Sequence, residues 1–274
     1  MHKDGYKPMV SIIVPVHNQS SKTVRCFASI RANTKTPHEI IWVDNGSTPQ
    51  HFSVIKRQAI KPRMHTKLVK FKNNTGFVKA TNIGIREVER SSKYIILLNN
   101  DTEVTMGWEQ QLIRPLRDNP DAGAVGPVTQ SKLSWQEASY LNAKWNLSLP
   151  AFPKRGMLSD KINAYGEILK NKYENQYQIV KDDKLSLSFF CVALRKKTFE
   201  KFGLLDESFG IGFGDDDEYC HRLRMNGLDL FISLGTFVYH WHRTTFNALN
   251  LPVDSLQRRN TKLLRAKNIL AKKQ

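Results

Sequence analysis

Four apolar runs in this chain each stop at a polar cluster, and two of those clusters carry a carboxylate. Val10–Val16 leads into His17-Asn18, Ile40–Val43 into Asp44-Asn45-Gly46-Ser47, Leu68–Phe71 into Asn73-Asn74-Thr75-Gly76, and Tyr94–Leu98 into Asn99-Asn100-Asp101. Taken singly, Asp44 before Asn-Gly reads as a turn residue and Asp101 as a helix cap. Lined up on one rim of a parallel sheet they make a site, because ligands of such sheets bind beyond the carboxyl ends of the strands. A carboxylate at Asp101 suits a hard divalent cation, Mg2+ or Mn2+, which takes oxygen ligands and bridges a diphosphate. One carboxylate is few for such an ion. His240 and His242 are candidate further ligands, with packed or surface histidines as the plainer alternative. Asn74-Thr75-Gly76 opens a helix whose free amides attract phosphate, and Lys79, one turn in, adds charge. Neither GxGxxG nor GxxxxGK followed by Ser or Thr is present, which argues against the usual dinucleotide site and against a P-loop.

The acidic run Asp215-Asp216-Asp217-Glu218 opens another helical stretch. Acids in a first turn favour the helix dipole, but four in a row exceed that need. Adjacent like charges raise one another's pKa, and a carboxylate so raised makes an effective general base. The run does not match a calcium loop, which wants Gly at its sixth position, where Cys220 stands.

The elements that must position these groups follow from the pattern around them. Short, nearly continuous apolar runs suit strands covered on both faces. Strand, polar loop and helix recur four times, which predicts a doubly wound, mostly parallel α/β sheet. The first helix is expected to bury Val24, Phe27 and Ala28, with Ser20 or Ser21 as its cap. Pro15 is expected at the carboxyl end of its strand, since it cannot donate to a central ladder. Residues 129–185 are polar and aromatic without a clear period, which reads either as a lid or acceptor-binding insertion or as a surface excursion. Order is expected to return over Leu185–Leu194, followed by a helix start at Lys196 to Phe202, a strand around Leu230–Ile232 and then the segment Phe237–His242.

The 274 residues include 42 Lys and Arg against 25 Asp and Glu, a net charge of +17, which points to an anionic partner. From residue 244 onward seven basic residues face one acid, Asp254, with Leu256, Leu263, Leu264 and Ile269 interleaved, which predicts a basic amphipathic helix. Cys26, Cys191 and Cys220 form neither a disulfide framework nor a thiolate zinc motif. Reduced thiols in a cytoplasmic compartment are the simplest reading. The apolar run Met9–Val16 is short for a signal peptide, and no window reaches the length of a membrane span.

With SIIVPVHN, VDNGS, NNTGFVKATNIG, YIILLNNDTEV and GFGDDDEYCHRLRMNG followed by VYHWH in this order, the sequence resembles a family 2 glycosyltransferase of the GT-A fold, over roughly residues 9–128 and 185–243. The resemblance implies a nucleoside-diphosphate sugar, most simply UDP- or TDP-linked, bound across the strand ends. Pro15 and Val16 would line the base pocket, Asp44 would contact the base, and Asn74, Gly76 and Asn82 would follow the nucleotide. Asn99-Asn100-Asp101 stands where the family has its DxD metal motif, with Asn99 in place of the first Asp, leaving Asp101 as the anionic ligand of Mg2+ or Mn2+. Asp215-Asp216 aligns with the family's Glu-Asp pair, which makes Asp216 the implied base of an inverting displacement.

These readings divide the chain into a nucleotide-sugar-binding half (1–128), an acceptor-binding and catalytic half (129–243) and a basic tail (244–274). The acceptor is expected to be a hydroxyl of a glycan, a lipid-linked glycan or another polyanion, with the tail able to touch a membrane's inner face. A hydroxylated base of phage DNA is the alternative within the same chemistry. In another class stand a nuclease using Asp44, Asp101 and Asp216 around two ions, and a non-catalytic nucleotide-sugar-binding relic, which would have no need of the acidic run.

Overall fold

The structure is a computed structural model and describes residues 7, 9–59, 65–132, 134–154, 157–241 and 253–271. The first part alternates β1 (Val10–Val16), α1 (Ser20–Asn33), β2 (His38–Asn45), α2 (Pro49–Ala59), β3 (Thr66–Phe71), α3 (Phe77–Arg86) and β4 (Tyr94–Leu98). These strands lie parallel in the order β3-β2-β1-β4. Their unbroken apolar runs have a direct cause, since both faces are covered. Ile12, Val14, Ile40 and Trp42 join Phe27 of α1 and Ile55 of α2 in one core. The alternate residues Ile13, Ile41 and Val43 join Val78 and Ile85 of α3 in the other. β1 stops pairing with β4 at Ile13–Leu97, two residues before Pro15, so the missing N–H of Pro15 falls past the end of that ladder.

After β4 come β5 (Thr102–Val104), α4 (Trp108–Asp118), β6 (Ala122–Val128), α5 (Ala138–Trp145), α6 (Leu158–Tyr173), β7 (Tyr177–Val180), β8 (Cys191–Arg195), α7 (Lys196–Phe202), α8 (Asp215–Met225), β9 (Asp229–His240) and α9 (Val253–Ala271). The sheet continues β4-β8-β6-β9-β5, with β7 also on β9. β8 runs antiparallel to both β4 and β6, so the sheet is mixed, parallel over β3-β2-β1-β4 and reversed at β8.

Several local expectations are corrected. Within the ordered stretch expected over Leu185–Leu194, the strand is Cys191–Arg195. The strand expected around Leu230–Ile232 is longer, Asp229–His240, running on through Phe237 and changing partners along its length from β7 and β6 to β5. α1 buries Thr23, Cys26, Phe27 and Ile30 instead of the Val24 stripe. Its register is set by polar contacts, because Thr23 Oγ1 donates to Gln19 O at 3.1 Å and receives Asn100 Nδ2 at 2.8 Å. Its cap position is Gln19, in a left-handed conformation and making no side-chain capping bond, while Ser20 Oγ is engaged with His51 Nδ1 at 2.9 Å.

Residues 129–185 are a packed layer. α6 lies on β9, and Tyr165 meets Phe237 and Phe152 edge-on at centroid distances of 4.7 and 5.4 Å. The basic amphipathic helix is α9, whose Leu263 and Leu264 pack against the core. Residues 244–252 lie outside the described residues.

Candidate active site

The ends of β1, β2 and β4, the 74–77 loop, the start of α8 and one face of α9 open on a single cleft of about 690 Å³. That is the size range of small-molecule sites. Of the residues singled out from sequence, Pro15, Val16, Asn74, Asn99, Asn100, Asp101, Asp215, Asp216 and His240 line it. Asp44, Gly76, Lys79 and Asn82 do not. His242 lies outside the described residues.

Those four residues have definite places. Asp44 is fully buried opposite Val16, its register partner on β1, and among the described residues neither of its carboxylate oxygens has a hydrogen-bond partner. Lys79 is exposed on α3. Asn82 bridges α3 to the segment before α8, donating to Leu205 O at 2.9 Å and to Glu207 Oε1 at 3.0 Å, and accepting from Leu205 N at 3.0 Å. Gly76 has φ +90, and a Cβ there would come within 2.7 Å of Gly210 O. It is Gly because two loops meet at that point.

Asn45, read from sequence only as turn chemistry, is the hub of the rim. Its Nδ2 donates to Asn74 Oδ1 (2.9 Å) and Gly76 O (3.1 Å), and its Oδ1 accepts from Thr75 N (2.8 Å) and Thr75 Oγ1 (3.0 Å). Asn45 O is held in turn by His17 Nδ1 at 2.9 Å. One side chain thus fixes the loop before α3, with both its donor and acceptor sides used.

At the other end of the cleft Asp101 Oδ1 lies 3.2 Å from His240 Nε2, both residues being buried. Phe190 stacks flat on the imidazole with a centroid distance of 4.8 Å, and Gln130 grips the His240 backbone, donating to its carbonyl at 2.8 Å and accepting from its N–H at 3.2 Å. The pair presents one carboxylate oxygen and one imidazole nitrogen at a single point; the carboxylate of Asp101 is the member that suits a hard divalent cation such as Mn2+ or Mg2+. Among the described residues no group of three His, Cys, Asp or Glu side chains gathers to hold an ion. An ion here would therefore complete its shell with phosphate oxygens and water, as such ions commonly do.

The acidic run sorts itself in three dimensions. Glu218 is turned onto Arg222 in a two-pronged ion pair, and Arg222 also donates to Phe202 O and Leu204 O. Asp215, Asp216 and Asp217 face the cleft. Burial pushes the Asp216 carboxyl well above the ordinary carboxylate range, helped by the charges of Asp217 and Asp215. Burial likewise raises Asp215, to about 6, partly opposed by its own backbone amide and reinforced by Asp217 and Glu218. Asp216 Oδ1 accepts from Asp217 N at 3.0 Å, which fixes the carboxylate's direction. Arg224 reaches back to Val180 O, Asp182 O and Leu185 O, pinning the irregular segment that leads to Ser186 and Ser188 on the cleft wall.

A mostly parallel mixed sheet with alternating helices and a cleft at its strand ends is an α/β fold of the GT-A type, and solved structures agree. The protein is similar in fold to GalNAc-T7, crystallised with UDP, GalNAc and Mn2+ (TM-score 0.63, 18% identical, 86% of this chain and 44% of that one). It is similar too to the mannosyltransferase PcManGT of Pyrobaculum calidifontis, in complex with GDP-Man and Mn2+ (TM-score 0.56, 17% identical, 86% and 57%), and to S. aureus TarS in complex with UDP-GlcNAc (TM-score 0.56, 11% identical, 84% and 58%). The chain belongs to glycosyl transferase family 2, whose model matches residues 11–203. That match takes in Asp44 and Asp101 and ends before Asp215. Among sequence relatives, the O-antigen biosynthesis protein RfbC of Myxococcus xanthus is 28% identical over 89% of this chain, which spans only 18% of that protein's length. An uncharacterized glycosyltransferase of Haemophilus influenzae is 29% identical over 43% of this chain and 36% of its own. No described helix is long and apolar enough to cross a membrane.

Proposed function

We propose that the protein transfers a sugar from a nucleoside-diphosphate sugar, UDP- or TDP-linked, to a glycan hydroxyl, with inversion at the anomeric carbon. The observation that carries this reading is that Asp101 with His240, at the end of β4, and Asp216, at the start of α8, face the same cleft in a family 2 chain. The UDP and GDP ligands of the structural neighbours support the donor class, and the O-antigen name of the Myxococcus relative supports a glycan acceptor.

In this reading Pro15 and Val16 give the nucleotide an apolar floor, and the loop fixed by Asn45 borders it. Asp216, whose pKa burial raises above the ordinary carboxylate range, accepts the proton of the acceptor hydroxyl. The acceptor oxygen bonds to the anomeric carbon from one face as the bond to the diphosphate oxygen breaks on the other. The nucleoside diphosphate leaves with the electron pair. Asp101 and His240 would hold Mg2+ or Mn2+, which supplies charge stabilisation of the departing diphosphate.

The nuclease alternative loses its geometry, since Asp44 is buried and does not share the cleft with Asp101 and Asp216. The test is a donor screen in which the protein, Mn2+ and UDP-, TDP- or GDP-sugars are incubated and free nucleotide is followed. Release from one of these donors is the expected result. Release from none, with no thermal shift by UDP, TDP or GDP, overturns the reading.

A further inference from the structure

The loop that delivers Asp215 and Asp216 does not hold its own shape. Gly210, Gly212, Phe213 and Gly214 all have positive φ (64, 126, 70 and 89). Phe213 is the costly member, since a non-glycine residue there is strained unless its surroundings hold it. The backbone bonds here include Phe209 N on Asp206 O at 3.2 Å, Gly210 N on Glu207 O at 3.1 Å, Gly212 N on Phe209 O at a long 3.4 Å, and Val78 N of α3 on Gly210 O at 3.4 Å.

Further support comes from α9. Asn260 is 1% exposed, and its Nδ2 lies 3.0 Å from Phe209 O, 2.9 Å from Gly212 O and 2.9 Å from Phe213 O. Two amide hydrogens serve three carbonyls, so one is shared. The orientation of the amide is set by Arg259 Nη1, which donates to Asn260 Oδ1 at 3.1 Å. Lys267 pairs with Asp206 at the start of the same segment. On the same helical face, at i, i+3, i+4 and i+7, Gln257, Asn260, Thr261 and Leu264 line the cleft. The helix that the charge pattern marks as a basic tail is therefore a wall of the site.

We propose that Asn260 is a positioning residue for the reaction, holding the carbonyls of Phe209, Gly212 and Phe213 so that the turn into α8 presents Asp216 to the acceptor. This rests on the reading of Asp216 as the base, so the test has one arm that needs activity and one that does not. Asn260→Ala removes the clamp, and the nearly isosteric Asn260→Asp replaces the donor group with an acceptor oxygen facing the carbonyls. Leu169→Ala, a core truncation on α6, serves as a destabilised control. Turnover of the responsive donor with Mn2+ and backbone hydrogen exchange are measured on the full chain.

The expected result is a fall in kcat of roughly tenfold to a hundredfold in both Asn260 variants, about the loss that misplacing a catalytic group produces. The donor KM should stay within about threefold of wild type. Exchange should accelerate at 209–217 while the rest of α9 stays protected. Leu169→Ala should lower Tm without that split of kcat from KM. If kcat of Asn260→Ala stays within about twofold, or falls no further than in Leu169→Ala, the proposal is overturned. If wild type releases nucleotide from no donor, the functional reading fails by itself. The clamp then stands on faster exchange at 209–217 in Asn260→Ala and falls if exchange there is unchanged.

Discussion

Asp101 Oδ1 and His240 Nε2 meet at 3.2 Å where the turn after β4 comes up against the end of β9. The contact depends on β5 pairing antiparallel with β9, Thr102 opposite His240, and on Trp241 N donating to Asp101 O at 2.9 Å. Neither residue is near the other in the chain, so the pair exists only once the sheet has closed around β9.

From this pair comes the first prediction. Asp101→Asn keeps the shape and removes the charge. Mn2+ binding, read by titration calorimetry, is expected to weaken at least tenfold. The thermal stabilisation by UDP should lose its dependence on Mn2+ while a residual shift with UDP alone persists. Chelation of the wild-type protein should give the same residual shift.

Asp216→Asn is expected to lower kcat by about 10²- to 10⁴-fold, the usual contribution of a general base. The affinity for UDP should stay within about twofold, because Asp216 acts on the acceptor side. Glu218→Gln should leave kcat within about threefold, since Arg222 already occupies that carboxylate.

The pH dependence has a definite sign. Asp215 and Asp216 both have folded pKa values above the unfolded carboxylate value, so the folded state binds extra protons at mildly acidic pH and loses stability as pH rises through that window. Asp215→Asn is therefore expected to raise Tm by a few degrees at pH 7, about 1–3 kcal/mol. The gain should shrink to nothing near pH 4, as followed by thermal melts across pH. Turnover runs the other way, rising with pH as the base loses its proton.

Gly84 tests the packing of α3 on β1. In a helix, Gly→Ala alone gains about 1 kcal/mol. Here the added Cβ would come within 2.4 Å of Ile13 Cγ2 and 3.1 Å of Val43 Cγ2, both in the buried sheet. Overpacking costs about 1–3 kcal/mol and outweighs the propensity term. Gly84→Ala should thus lower the denaturation midpoint with the m-value unchanged.

Asn45→Ala strips four hydrogen bonds from the loop before α3 in a nearly buried position. A loss of about 2–3 kcal/mol is expected from the groups left unpaired. A fall in UDP affinity should accompany it, both readable from one set of melts with and without nucleotide.

The sequence by itself determined the parallel half and its rim. Strands covered on both faces must be apolar throughout, so their ends are visible where polar residues begin, and the clusters at Asn74 and Asp101 lie at those ends. The GFGDDDEYCHRLRM segment was equally legible, because helix-start acids and a glycine loop are local chemistry. What only the tertiary structure decided depends on contacts between distant residues, for which a linear pattern has no period. β8 enters antiparallel between β4 and β6. Asp44 sinks behind Val16, and Arg222 withdraws Glu218 from the cleft. His240 is carried to Asp101, and Asn260, in a helix that reads as a charged surface, is buried on the loop that aims Asp216.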